Sequence, residues 1–202
     1  MSQKDNDSIV IIGAYDLLSF DCIADMLFGS EKKIFLFEPR EKPFNILLSN
    51  IEKLNLKNCK CLNLAVHPSL QNLKIYEVEE SKVYKYESWI SGMASLYKER
   101  LLEHAEDSDL KFSQVNCSSP DNWYQDFDIA QISYLQIDTE GFDYEILKSI
   151  NLAFHTPSVI RLEFVNLGKE DQEYVLQYLT DFGYDLMFNG EDLIAVNLRK
   201  LI

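Results

Sequence analysis

Ser8-Ile9-Val10-Ile11-Ile12-Gly13 is an apolar, β-branched run stopped by a glycine. Such a run suits a strand buried on both faces, as in a parallel sheet. Past it, Leu17, Phe20, Ala24, Leu27 and Phe28 recur near helical spacing, and Gly29 offers a stop. Ile34-Phe35-Leu36-Phe37 is a second buried-strand run, closed by Glu38-Pro39. Pro43 sits where the first turn of a helix tolerates it. Phe44, Leu47, Leu48, Ile51 and Leu54 form the apolar stripe of that helix. Cys59 to Leu64 reads as a third strand. Strand, helix, strand, helix, strand with short connections predicts an α/β fold, a doubly wound and mostly parallel sheet with right-handed crossovers.

The alternation then breaks. Strands are expected at Leu73–Val78 and Lys111–Cys117, and the mixed stretch between them, about 81–109, reads as an inserted cap or lid with a helix through Leu96 to His104. Alternation resumes with the strand Ile132–Ile137 and a helix bearing Tyr144, Ile146, Leu147 and Ile150. A strand at Ser158–Val165 and a helix at Lys169–Phe182 follow. Asn189-Gly190 between two apolar runs predicts a closing antiparallel hairpin. There are no internal repeats or linkers, so residues 1–202 are expected to form one domain.

Of 202 residues, 47% are hydrophobic and 26% charged, the profile of a folded chain. Lys plus Arg is 19 against 33 Asp plus Glu, a formal net charge of -14. Such a surface repels phosphate backbones and anionic lipid, so neither nucleic acid nor membrane is the expected partner. No apolar run reaches the roughly 18 residues of a membrane helix. Met1 to Ser8 lacks the pattern of a secretory signal. Cys22, Cys59, Cys61 and Cys117 read as reduced thiols of a cytoplasmic protein. Cys59-x-Cys61 is a weak metal signal, and its two side chains would share one face of a strand.

In an open α/β sheet, ligands bind beyond the carboxyl ends of the strands. Those ends are Gly13-Ala14, Glu38-Pro39, Asn63 to His67, Asp138-Thr139-Glu140-Gly141 and Glu163. Glu38 lies 25 positions after Gly13, where an acid commonly accepts hydrogen bonds from ribose hydroxyls. Gly13-Ala14-Tyr15-Asp16-Leu17 is not G-x-G-x-x-G, and Asp16 would repel a pyrophosphate, so a ribose without phosphate is the better match. Asp138, Glu140 and Glu163 can orient a cation, bind a divalent metal or act as a base, and one of them can instead cap the helix starting near Phe142. His67 follows the third strand end and His104 lies in the insertion, so either has a position from which to line a site, although a plain structural role is the favoured reading for any single one; His155 reads as a loop residue. No G-x-S-x-G elbow, P-loop or zinc spacing occurs.

The segment Ile132-Ser133-Tyr134-Leu135-Gln136-Ile137-Asp138-Thr139-Glu140-Gly141-Phe142-Asp143-Tyr144-Glu145-Ile146-Leu147 resembles the signature of FkbM-type S-adenosylmethionine-dependent methyltransferases. Phe37-Glu38-Pro39 followed by Asn50, Ala65, and Glu163 in Ile160-Arg161-Leu162-Glu163 fit the same family in order. The resemblance spans roughly residues 8 to 198. It implies a seven-stranded, Rossmann-like class I methyltransferase sheet with an antiparallel last strand. It implies S-adenosylmethionine as cofactor and O-methylation of a small-molecule or sugar hydroxyl; the acids allow a metal, but nothing in the sequence indicates one, and none is expected. Glu38, beside Pro39, would hold the ribose. Ala65 would flank the adenine, Gly13 and Ala14 would approach the methionine part, and Asp138 to Glu140 would face the sulfonium. Asp138, Glu140, Glu163 or His104 would take the acceptor's proton. Four positions depart from the family pattern. Ile11 replaces an acid, Tyr15 an asparagine and Gln136 a lysine, while Leu17 stands near a missing second glycine. They support the alternative of a scaffold protein that keeps the fold without the cofactor. A nucleotide-sugar or NAD enzyme is a third, weaker reading.

Overall fold

The computed structural model describes residues 7–19 and 23–200. Phe20 of the expected first helix, the thiol Cys22, and most of the N-terminal segment lie outside the described residues. The element order is β1 (Asp7–Ile12), α1 (Ile23–Leu27), β2 (Lys33–Phe37), α2 (Glu41–Lys53), β3 (Cys59–Leu62), β4 (Ala65–Val66) and β5 (Asn72–Val78). Then come β6 (Ala94–Ser95), α3 (Lys98–Leu102), β7 (Leu110–Ser118), α4 (Trp123–Phe127), β8 (Gln131–Ile137), α5 (Asp143–Ser149) and α6 (Leu152–His155). The chain closes with β9 (Val159–Glu163), α7 (Lys169–Asp181), β10 (Asp185–Asn189) and β11 (Asp192–Val196).

Seven strands form the main sheet in the order β10-β11-β9-β8-β1-β2-β3. β3, β2, β1, β8 and β9 pair in parallel, and β11 runs antiparallel to both its neighbours. Burial on both faces explains the unbroken apolar strands. Ile9 and Ile11 of β1 pack in the cluster with Ile23, Leu27 and Leu47, while Val10 and Ile12 pack in the other, with Trp123, Ile146 and Val175. This is the expected doubly wound sheet. In the hairpin, Asn189 pairs with Asp192, so the two turn residues are Gly190 and Glu191, one position later than expected. Gly190 has φ +64°, the left-handed conformation glycine supplies at the first position of such a turn.

Three expectations shift. The first helix is shorter among the described residues, because the Asp16 carboxylate accepts the backbone N–H groups of Leu18 and Ser19. A side chain that bonds its own following backbone competes with the helix. The third strand stops at Leu62, where Asn63 turns its amide to the carbonyls of Glu38 and Pro39. The helix expected through Leu96 to His104 contracts to α3. Beyond β3 the chain builds a second, four-stranded sheet, β4-β7-β5-β6, and residues 79–109 are carried between β5 and β7. No helix among the described residues is long and apolar enough to cross a membrane.

Candidate active site at the strand ends

The sheet register builds the site. Leu62, Phe37, Ile12, Ile137 and Leu162 are paired across five parallel strands. The residues that follow three of these, Glu38, Gly13 and Asp138, continue the ladder: Glu38 N–H donates to Leu62, Gly13 N–H to Phe37 and Asp138 N–H to Ile12. Glu163 ends β9 beside them. Gly13 has φ +82°, and a Cβ there would fall 1.8 Å from the Asp138 carbonyl oxygen. Only glycine allows these two strand ends to meet so closely. Above this row lies a cavity of 810 Å³, within the size range of small-molecule sites. Pro39, Ala65 and Val66 line it on one side, and Trp89, Arg100 and His104 of the insertion on another.

Glu38 is buried, with 3% of its surface exposed. Its Oε1 accepts from the Arg40 backbone N–H at 2.8 Å and from Arg40 Nε at 3.3 Å, and its Oε2 from the Tyr15 N–H at 3.0 Å. Burial raises its pKa, and Arg40 opposes the rise. Of roughly four carboxylate lone pairs, three are taken, and the one left is on Oε2. Arg40 reaches further, donating to the carbonyls of Ser91 at 3.4 Å and Gly92 at 2.8 Å, with its guanidinium 5.3 Å from the Tyr15 ring centre. The acid at the end of β2 is thus tied directly to the insertion.

Asp138, Glu140 and Glu163 converge, each with a carboxylate oxygen within 4.8 Å of the others. The Asn166 amide bridges two of them, donating to Glu163 at 2.7 Å and to Glu140 at 3.1 Å. Burial, then the Glu163 charge, pushes Glu140 up to about 7. Burial, then Asp143, pushes Glu163 up to about 7. Burial and the neighbouring acids hold Asp138 well above the usual carboxylate range. Such a cluster can take up a proton near neutrality or face a positive charge. Asp143 folds the turn that presents it. Its fully buried carboxylate, raised to about 6 by burial, accepts from Thr139 N–H, Thr139 Oγ1 and Gly141 N–H. None of Asp138, Glu140 and Glu163 caps α5; the acid nearest that role is Asp143.

Of the residues expected at the site, Gly13, Glu38, Pro39, Ala65, Asp138, Glu140, Glu163 and His104 all line the one cavity. Ala14 does not; its side chain packs in the cluster with Ile9 and Leu27. His104 packs edge-on to Trp89 at 5.0 Å. His67 lies outside the lining; its Nδ1 accepts from the N–H groups of Ser69 and Leu70, and its ring stacks on Phe142. His155 is not a loop residue. It ends α6, buried, with a ring nitrogen 2.8 Å from the Ala130 carbonyl. Of the four departures in the family pattern, Ile11 and Leu17 are buried in the core and Gln136 is buried under the Tyr134 hydroxyl. Tyr15 alone lines the cavity. Arg40, Asn166 and Ser95, whose hydroxyl donates to the Glu140 carbonyl at 2.8 Å, had no sequence signal, because each sits outside any periodic run.

The profile of the methyltransferase FkbM domain matches residues 12–186. The chain belongs to the FkbM methyltransferase family. No curated protein matches it in sequence. Among solved structures, the FkbM methyltransferase of Methylobacillus flagellatus KT aligns with a TM-score of 0.59 at 11% identity, covering 97% of this chain and 44% of that one. This FkbM-family chain therefore spans less than half of that relative's length. A precorrin-6y C5,15-methyltransferase of Geobacter metallireducens GS-15 gives 0.47 at 15% identity, covering 95% of this chain and 78% of that one. M. capricolum TrmK, solved with S-adenosylhomocysteine, gives 0.46 at 12%, covering 94% and 60%. At 11% identity the likeness to the M. flagellatus structure is one of fold.

Proposed function

We propose that this FkbM-family chain binds S-adenosylmethionine along the ends of β1, β2 and β8 and methylates a hydroxyl of a small-molecule acceptor. The observation that carries the reading is the single row of Gly13, Glu38 and Asp138 flooring one cavity, with Glu163 beside it. The residues fit such a cofactor. The free lone pair on Glu38 Oε2 suits a ribose hydroxyl, and the apolar wall of Ala65 and Val66 suits a purine face. The acid cluster suits a sulfonium. The bound cofactor supplies an electrophilic methyl group. Glu140 or Glu163, each raised to about 7, accepts the acceptor's proton, the range in which a carboxylate works as a general base at neutral pH. The insertion at 79–109, with Trp89, Arg100 and His104 in the cavity wall, positions the acceptor hydroxyl, and orientation supplies much of the rate. The net charge of -14 favours a small acceptor over a nucleic acid. The unpaired thiols Cys59, Cys61 and Cys117 support a reducing, cytoplasmic setting.

Calorimetric titration with S-adenosylhomocysteine tests the reading. Micromolar affinity, about 8 kcal/mol, is expected for the wild type, with at least about a tenfold loss in Glu38→Gln, which keeps the shape of the side chain. No binding by the wild type up to about millimolar would transfer the chain to the scaffold reading, with Tyr15 in the cavity as its cause.

A further inference from the structure

Cys59 and Cys61 take no part in the proposed chemistry. They stand at i and i+2 of β3, so their side chains share one face. Both are half-buried and free, packed against the cluster that holds Ile34, Leu36 and Leu47. Interaction between the two neighbouring thiols holds Cys61 below the ordinary thiol range and, together with burial, pushes Cys59 above it. β3 is an edge strand with β2 as its one neighbour in the sheet. The two residues after Cys61 grip Glu38 from both sides. The Leu62 carbonyl accepts the Glu38 N–H at 3.0 Å, and the Asn63 amide donates to the Glu38 carbonyl at 3.0 Å and to that of Pro39 at 3.0 Å.

We propose that Cys59 and Cys61 form a redox-sensitive dithiol that low-molecular-weight disulfides convert to an intrastrand disulfide, and that this bond loosens the Glu38–Pro39 turn. The consequence for cofactor affinity rests on the function proposed above; the modification does not. Cys61, as thiolate, attacks one sulfur of the small disulfide and expels one small thiolate. Cys59 then loses its proton and attacks the Cys61 sulfur of the mixed disulfide, expelling the second. Two protein thiols are oxidised, one small disulfide is reduced to two thiols, and the two protons pass to the leaving groups.

Geometry connects the bond to the turn. Residues i and i+2 of a strand lie about 6.6 Å apart at Cα. Disulfides favour roughly 5.5–6 Å and reach about 6.8 Å. The Cα distance lies at the upper limit of that range, but a disulfide also holds its Cβ atoms at roughly 3.5–4.5 Å, whereas same-face Cβ atoms of an extended strand start about as far apart as their Cα atoms. Closing the bond therefore bends and shortens β3, and an edge strand with one partner yields more readily than a central one. The contraction is transmitted to Leu62 and Asn63, the residues holding Glu38.

The full chain is treated with glutathione disulfide and digested with trypsin without reduction. Cleavage after Lys60 leaves the two flanking peptides joined when the disulfide is present. Reduction by dithiothreitol separates them, and Cys61→Ser never shows the joined product. In the oxidised chain, hydrogen exchange at the Glu38 amide rises at least about threefold. The dissociation constant for S-adenosylhomocysteine rises about tenfold and returns on reduction. Separate glutathione adducts on the two cysteines, or a disulfide with unchanged exchange at Glu38, overturn the proposal. A reduced chain that binds no S-adenosylhomocysteine overturns the cofactor reading instead, and the exchange measurement still decides the switch.

Discussion

Asn166 divides one amide between two carboxylates, Glu163 at 2.7 Å and Glu140 at 3.1 Å. A donor to the ionised form lowers a carboxylate pKa, and Asn166 does so at Glu163. Asn166→Leu should therefore move the acid limb of the pH–rate profile upward from its wild-type position near 7, and lower the rate at pH 7 by about tenfold. Asn166→Gln should restore part of the loss. An unchanged profile would remove the two acids from the proton path. Sequence reading finds the acids and misses the amide for one reason. Strand ends are visible as the stop of an apolar run, which marks Glu38, Asp138 and Glu163, whereas Asn166 lies in a loop whose geometry only folding creates. Arg40 is missed likewise, two positions past an acid that was found.

Among the elements, the insertion is held to the acid turn by Ser95, whose hydroxyl donates to the Glu140 carbonyl at 2.8 Å and accepts from the Tyr97 N–H at 3.1 Å. Ser95→Ala should destabilise the fold by about 1 kcal/mol in a denaturant titration, since two partly buried backbone groups lose a partner. It should weaken the acceptor's KM more than the affinity for S-adenosylhomocysteine, because Glu38 and its ties stay intact. The elements themselves are legible to unequal degrees. Strands buried on both faces announce themselves through runs such as Ile34 to Phe37, and the closing hairpin through a glycine that needs φ +64°. The first helix is overread because Leu17, though spaced as a helical residue and fully buried, reaches the core from a left-handed loop position, φ +68°. The second sheet is foreseen only in its two long strands, β5 and β7: β4 and β6 have two residues each, and β4 joins β7 across about 50 residues that carry no periodic sign of the pairing.

For the whole molecule, the acid cluster sets an unusual response to pH. Glu140 and Glu163 titrate near 7 and Asp143 near 6 in the native state, all above their unfolded values. The native state thus binds more protons than the unfolded state between roughly pH 4 and 7, and stability falls as pH rises through that window. The net charge of -14 acts in the same direction through self-repulsion. The urea midpoint should be higher at pH 5.5 than at pH 8, by the equivalent of about 4–5 kcal/mol. A cation among these carboxylates relieves the penalty. The thermal stabilisation by S-adenosylmethionine should therefore exceed that by neutral-sulfur S-adenosylhomocysteine at pH 8, and the gap should narrow at pH 6. Equal shifts at both pH values would place the sulfonium elsewhere. Arg40, which bonds Glu38 on the sheet and the carbonyls of Ser91 and Gly92, ties the strand ends to the insertion proposed to position the acceptor. Under the proposed function this predicts one order of traffic, which product-inhibition kinetics would check: whatever lies on the sheet enters first and leaves last, and acceptor and methylated product come and go in between.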